Sequence, residues 1–101
     1  MSKLAVIGSV VVQPGTRDEV LRAALAHRER CLKDEPGTLV FEVLVPRDDA
    51  TKLLFYELYD EPAAFVAHSN GQSMAQLKSE IGAKIASLSV TECTPGTEAQ
   101  A

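Results

Sequence analysis

The segment Leu4–Val12, with the sequence LAVIGSVVV, is the feature that most restricts how this chain can fold. Successive side chains of a strand point to opposite faces, and here both faces are largely apolar. One face carries Leu4, Val6, Val10 and Val12, and the other carries Ala5, Ile7 and Val11. Such a strand is typical of a sheet that is covered on both sides. One layer of helices covers only one side, so a second cover is needed.

The rest of the pattern predicts a single α+β domain with the element order β-α-β-β-α-β. The first helix is predicted to begin with a capping box at Thr16-Arg17-Asp18-Glu19 and to run to about Lys33. A second helical region is predicted from Pro62 to Gly82, and further strands over residues 38–45, 52–59 and 85–93. This order indicates a ferredoxin-like fold, a four-stranded antiparallel sheet with helices on one face.

The uncovered face of this sheet predicts a homodimer. The simplest cover for an apolar sheet face is a second copy of the same sheet, packed against it about a two-fold axis. Residues 1–93 are expected to form the domain, and residues 94–101, which are small and polar, a flexible tail.

Composition and charge exclude several classes of function. The net charge is −4 and the ten Lys and Arg residues are scattered, which argues against a nucleic-acid partner. No apolar run approaches the roughly 20 residues of a membrane helix, so no membrane partner is expected. Met1-Ser2-Lys3 leads into an apolar run without a cleavage site, which favours a cytoplasmic location. Cys31 and Cys93 match no metal or redox spacing and are interpreted as buried thiols.

The first helix places a cation where an apolar side chain is expected. Its predicted buried stripe has Arg28 at the centre, and consists of Val20, Leu21, Ala24, Leu25, Cys31 and Leu32. Two interpretations remain open for Arg28. Either its stem packs on the core while its head reaches water, or it is a partly buried cation that binds a sheet carboxylate or an anionic ligand. His27 lies at the edge of the stripe and is expected on the surface.

The candidate chemistry lies where the third strand runs into the second helical region. Glu57 and Tyr59 share a strand face with Leu53 and Phe55, whereas Leu54, Tyr56 and Leu58 face the predicted dimer partner. A carboxylate in so apolar a strand needs a partner, and Arg28, His68 and Tyr59 are the candidates.

His68 is the candidate general base of that junction. It follows Phe65 by three residues, so an inward Phe65 brings His68 inward as well. The imidazole is suited to proton transfer, and a nearby carboxylate would fix its tautomer. The alternative is a structural histidine at a helix C-terminus. No second histidine lies at ligand spacing, so no metal is expected.

These motifs together resemble the antibiotic biosynthesis monooxygenase family over about residues 4–93. The resemblance rests on Glu35-Pro36-Gly37 before a strand with Phe41, on Phe55-Tyr56-Glu57-Leu58-Tyr59, and on Ala64-Phe65 followed by His68. It implies a dimeric α+β barrel whose members oxygenate quinol-like or polycyclic aromatic molecules with molecular oxygen, without metal or flavin.

The same resemblance implies roles for individual residues. His68 would be the base or proton relay, and Glu57 would orient it. Tyr59, Phe41, Phe65 and Phe55 would line an aromatic pocket, and Arg28 would be an optional contact for an anion.

Other functions of such folds are weighed against this one. Relatives that degrade haem use an Asn on the first strand and a Trp near the position of Tyr59, and this chain has neither. A non-catalytic or stress-associated module that binds small molecules, and an isomerase or lyase of a small metabolite, remain alternatives.

Overall fold

The computed structural model describes residues 2–100 and has the predicted order of elements. The strands are β1 (Leu4–Val12), β2 (Thr38–Leu44), β3 (Lys52–Tyr59) and β4 (Ile85–Cys93). The helices are α1 (Arg17–Asp34), α2 (Pro62–Ser69), α3 (Gln72–Ile81) and α4 (Gly96–Ala99), with a 3-10 turn at Gly82–Lys84. Within residues 2–100, no helix combines the length and the apolar character needed to cross a membrane.

The four strands form one antiparallel sheet in the order β2-β3-β1-β4, and α1, α2 and α3 lie on one of its faces. The ferredoxin-like fold is therefore confirmed. β1 lies between β3 and β4, with Val6 opposite Glu57 on one side and Glu92 on the other. Its interior position explains why its sequence is so apolar.

The apolar core lies between the sheet and helices α1 and α3. Its buried members are Val10, Val12, Val20, Leu53 and Ile81. At one end of the opposite sheet face, residues 94–98 share a groove with Ala5, Tyr56 and Leu58, and Ala5 is buried. The rest of that face is open, and Ile7 at its centre is 44% exposed.

The predicted buried stripe of α1 is partly wrong: Val20, Ala24 and Cys31 are buried as predicted, but Leu25 and Leu32 are not. The buried residues of the helix are Val20, Ala24, His27 and Cys31, which are spaced by four, three and four residues. Leu25 and Leu32 are 44% and 36% exposed. Because helices α2 and α3 also lie on this side of the sheet, the face of α1 that meets them is buried together with the face that meets the sheet.

The ends of two elements differ from the sequence prediction. Thr16 does precede α1, but its side chain makes no capping bond, so the predicted capping box is wrong. Its hydroxyl instead donates to the Gln13 carbonyl oxygen at 2.7 Å. The tail contains the single helical turn α4, and the Lys3 backbone N–H donates to Glu98 Oε1 at 2.8 Å. Its flexibility stays a prediction.

The turn between α1 and β2 packs tightly against α2. A Cβ atom at Gly37 would lie 2.5 Å from the Cβ of Ala64, so only glycine permits this approach. The Asp60 backbone N–H also donates to the Gly37 carbonyl oxygen at 3.0 Å. This close approach brings Glu35, at the C-terminus of α1, beside the last turn of α2.

Candidate active site

A cavity of about 310 Å³ lies between the sheet and helices α1, α2 and α3. Its volume is at the lower end of the roughly 300–1,000 Å³ that small-molecule sites occupy. The polar side chains in its wall are His27, Glu57, His68, Ser69 and Lys78. The other lining residues are Val6, Gly8, Val10, Val20, Ala24, Phe41, Phe55, Phe65, Met74, Leu77, Ile81, Gly82, Ile85, Leu88 and Val90. An apolar chamber with a few polar groups suits an aromatic ligand.

One side of the cavity is bounded by the edge strand β4 and not by a helix. Leu88 and Val90 line the cavity there, yet they are 64% and 48% exposed. Both pair with β1, opposite Val10 and Gly8, so they belong to the sheet face that carries the helices. The mouth of the cavity therefore lies over β4.

His68 occupies the last turn of α2 and is 1% exposed. Its Nδ1 lies 2.8 Å from Glu35 Oε1, and an ionised carboxylate only accepts, so Nδ1 carries the hydrogen. Glu35 Oε1 also accepts from the Thr38 hydroxyl at 3.1 Å. On the other side of the ring, His68 Nε2 lies 3.8 Å from Glu57 Oε1. The imidazole is thus held between two carboxylates, with the lone pair on Nε2.

Glu57 and Tyr59 form a buried pair behind His68. The Tyr59 hydroxyl donates to Glu57 Oε1, and the Tyr59 side chain is fully buried. Burial raises the pKa of Glu57, although the bond from Tyr59 and the nearby His68 oppose the shift. Burial, together with the charge of Glu57, raises the pKa of Tyr59 as well. Tyr59 therefore stays a neutral donor at physiological pH.

His27 was expected on the surface, and this prediction is wrong because the residue is 1% exposed. Its Nδ1 lies 2.8 Å from the Ser73 hydroxyl oxygen, to which Arg30 Nε donates at 2.8 Å. Burial lowers the pKa of His27 to about 4, and the charges of His68 and Arg30 act in the same direction. His27 is accordingly neutral at pH 7.

Cys31 lies between the two histidines. Its sulfur is 3.5 Å from His27 Nε2 and 3.6 Å from His68 Nδ1. Burial raises the pKa of this thiol to about 12, helped by the charge of Glu35. The ligating atoms of the three residues lie within 4.8 Å of one another. The two histidines are far apart in the sequence and meet only through the fold, so their sequence spacing gave no sign of this cluster.

The structure brings most of the predicted site residues together. Phe41, Phe55 and Phe65 line the cavity with His68 and Glu57. The ring centroids of Phe41 and Phe65 lie 5.9 Å and 6.4 Å from that of His68. Tyr59 does not line the cavity; its hydroxyl donates to Glu57, and its ring centroid lies 5.5 Å from that of His68.

Arg28 lies away from the cavity. Its Nε donates to the Phe41 carbonyl oxygen at 2.7 Å, and its head pairs with Glu29 and Glu42. The interpretation of Arg28 as a partly buried cation that binds a sheet carboxylate is therefore confirmed. That carboxylate belongs to Glu42 and not to Glu57. Its predicted contact with an anionic ligand finds no support in this position.

Sequence reasoning missed Glu35 as the partner of His68. Glu57 was expected to orient the imidazole, but its distance of 3.8 Å exceeds a hydrogen bond, whereas that of Glu35 is 2.8 Å. A signal for the missed residues was available in the spacing. His27, Cys31 and Glu35 follow one another at intervals of four, which places them along one line at the end of α1.

Comparison with known proteins relates this geometry to one family. The family model for antibiotic biosynthesis monooxygenases matches residues 4–79. No curated protein sequence matches the chain significantly.

Solved structures give the same fold. A candidate antibiotic biosynthesis monooxygenase from Nitrosomonas europaea is similar with a TM-score of 0.88 and 19% identity, over 94% of this chain and 91% of that one. One from Caulobacter crescentus gives 0.87 and 19%, over 93% and 90%. One from Chloroflexus aurantiacus gives 0.82 and 23%, over 93% of each. At these identities the likeness shows the fold alone.

Proposed function

Because the chain belongs to the antibiotic biosynthesis monooxygenase family, we propose that it oxidises a quinol-like or polycyclic aromatic molecule with molecular oxygen, without a cofactor. The observation that carries the proposal is the position of His68. Its imidazole lies at the polar end of an apolar cavity, with Nδ1–H bonded to Glu35 and Nε2 free to accept a proton.

The cavity favours a flat, largely apolar substrate. Phe41, Phe55 and Phe65 offer aromatic surfaces, and aromatic pairs prefer the edge-to-face and offset contacts that such rings provide. The single acidic or phenolic group of the substrate would then lie at the polar end, near His68 and Glu57.

The proposed reaction begins with proton transfer to His68 Nε2. The resulting substrate anion is electron-rich and passes an electron to oxygen; recombination forms a carbon–oxygen bond. When the reacting carbon is a CH₂ group, as in an anthrone, it becomes a carbonyl and the second oxygen atom leaves as water. Glu35 stabilises the imidazolium formed in the first step, in the way that a buried carboxylate supports a catalytic histidine.

Glu57 is proposed as the next proton acceptor. It lies 3.8 Å from Nε2, and burial raises its pKa, so its carboxyl takes up a proton more readily than an exposed one. Tyr59, which donates to Glu57, would hold that carboxyl in place.

Oxygen uptake with an anthrone or a dihydroxynaphthalene tests the proposal. We expect His68→Ala to lower kcat/KM by roughly 10²- to 10⁴-fold, the usual contribution of a general base. Arg28→Lys, outside the cavity, serves as the matched control and should stay close to the unmodified protein. Uptake that persists in a folded His68→Ala variant would remove His68 from the mechanism. Saturable binding of the aromatic compound without any uptake would instead support the non-catalytic binding module.

We also propose that the chain acts as a homodimer. The open sheet face carries exposed or half-buried apolar residues from three strands, among them Ile7, Leu44, Leu54, Tyr56 and Leu58. Sedimentation should show a species of twice the 10.9 kDa chain mass. Ile7→Lys should shift it to the monomer, whereas Val66→Lys, at an exposed valine on α2, should not. A monomeric unmodified protein at micromolar concentration would contradict this.

A further inference from the structure

The polar end of the cavity contains an arrangement that proton transfer does not use. His27, Cys31 and His68 are all buried, and their ligating atoms lie within 4.8 Å of one another. His27 and Cys31 come from one helix face, and His68 comes from α2. We propose that these three residues form a binding site for a thiophilic divalent metal ion of the zinc type.

The spacing of the ligand atoms fits a tetrahedral ion. Zinc bonds of about 2.3 Å to sulfur and about 2.05 Å to nitrogen, at tetrahedral angles, put the two ligand atoms about 3.5 Å apart. The Cys31 sulfur lies 3.5 Å from His27 Nε2 and 3.6 Å from His68 Nδ1. Two of the three distances between ligand atoms thus already match those around a tetrahedral zinc ion.

The third edge requires a small adjustment. The nitrogens of His27 and His68 lie no more than 4.8 Å apart, against about 3.3 Å on a tetrahedral zinc ion. Their ring centroids are 5.3 Å apart, and we expect rotations of the two side chains to bring the nitrogens closer.

The groups around the three ligands are those that metal sites use to fix a histidine. Ser73 Oγ lies 2.8 Å from His27 Nδ1 and anchors that side of the ring. The Cys31 sulfur lies 3.6 Å from His27 Nδ1 and 3.5 Å from His27 Nε2, so the imidazole must turn about its side-chain bonds to direct the Nε2 lone pair at the ion. Arg30 holds the Ser73 hydroxyl in turn. The Glu35 carboxylate, 2.8 Å from His68 Nδ1, offers an oxygen ligand for the fourth position.

Binding of the ion changes the protonation of two of the three ligands. Cys31 releases its thiol proton to solvent, because a coordinating thiol is deprotonated outright. The hydrogen on His68 Nδ1 leaves that nitrogen, and the ring takes the tautomer with hydrogen on Nε2, on the side of Glu57. Thiolate and the Glu35 carboxylate then neutralise the two positive charges of the ion. His68 cannot serve as a base while it is bound, so metal binding and the proposed oxygenation exclude each other.

Cobalt(II) titration of chelator-treated, reduced protein tests the site, with a readout independent of any activity. We expect one ion per chain and a thiolate-to-cobalt charge-transfer absorption, abolished by an equivalent of Zn²⁺. The absorption should persist in Cys93→Ser, which removes the other cysteine, and disappear in Cys31→Ala. Ser73→Ala, which removes only an outer partner, should weaken binding by roughly 10- to 100-fold.

A second measurement covers the risk that Cys31→Ala fails to fold. Zn²⁺ should raise the Tm of the unmodified protein by mass action and leave the Tm of His27→Gln unchanged. The site is refuted if the folded, reduced protein shows no saturable cobalt binding. It is equally refuted if the absorption depends on Cys93 and not on Cys31. Either result leaves the proposed oxygenase intact, because that proposal depends on oxygen uptake and His68→Ala.

Discussion

The two histidines of this chain are equally buried and 5.3 Å apart, but their surroundings differ in charge. His68 lies between the carboxylates of Glu35 and Glu57. His27 faces a hydroxyl that is itself bonded to Arg30. Burial alone therefore does not decide what an imidazole does. At His27, burial and the charges of His68 and Arg30 oppose protonation, whereas His68 has a carboxylate on each side of its ring.

The largest effect expected from this contrast concerns stability in acid. The pKa of His27 falls from 6.5 to about 4 in the fold, so the unfolded chain binds more protons between these values. Stability from this residue is thus fully present above pH 6.5 and is lost as the pH falls towards 4, by about 3 kcal/mol at 1.36 kcal/mol per pKa unit.

Urea unfolding of chelator-treated protein at pH 7 and pH 4 measures this loss. The stability advantage of the unmodified protein over His27→Gln should shrink by that amount between the two pH values. The raised pKa of Glu57 makes the fold more stable as the pH falls, which is opposite to the effect of His27. Because Glu57 is present in both proteins, its contribution cancels when their free energies of unfolding are subtracted. An advantage that is independent of pH would mean that the fold does not lower the pKa of His27.

The next largest effect compares the hydrogen-bond partner of His68, Glu35, with that of His27, Ser73. Glu35→Gln keeps the shape of the side chain but removes the charge beside His68, and kcat/KM for oxygen uptake should fall on the order of 100-fold, or about 2.7 kcal/mol. Ser73→Ala, the corresponding change beside His27, should cost less than about threefold because His27 stays neutral. Equal losses in both variants would make the two histidines equivalent and would contradict the contrast.

The smallest effect concerns the hydroxyl that holds Glu57. Tyr59→Phe removes a donor from a buried carboxyl, and the free energy of unfolding should fall by about 1.5 kcal/mol, at the lower end for bonds to charged groups. Chemical denaturation measures the change. Tyr56→Phe is the matched control, since Tyr56 lies on the open face of the same strand, and it should change stability by less than about 0.5 kcal/mol.

The fold was predictable because its signals are local. Alternation along β1 and β3, together with Pro62 and Gly82 at the ends of the second helical region, predicted the order of elements and the face on which Glu57, Tyr59 and Phe55 lie. His68 was predicted to face inward for the same reason, since its spacing from Phe65 is a property of one helix.

The polar network was not predictable in the same way because it depends on contacts between distant segments. Glu35 and His68 are 33 residues apart and meet only because Gly37 lets the turn approach α2. His27 was misplaced because Leu25 and Leu32 moved the predicted apolar stripe towards a face that is exposed in the structure. Leucine on a surface costs little, so two leucines are weak guides to the phase of a helix.

The mouth of the cavity over β4 has a kinetic consequence. Leu88 and Val90 belong to a hydrogen-bonded strand, so a ligand can enter and leave over them without a helix or loop having to open first. A bound substrate would itself be the plug that keeps water from a reactive intermediate. Substrates whose apolar body is long enough to reach Leu88 should therefore give the highest yield of oxygenated product per oxygen consumed. For shorter analogues, this yield should fall by a larger factor than the binding affinity does.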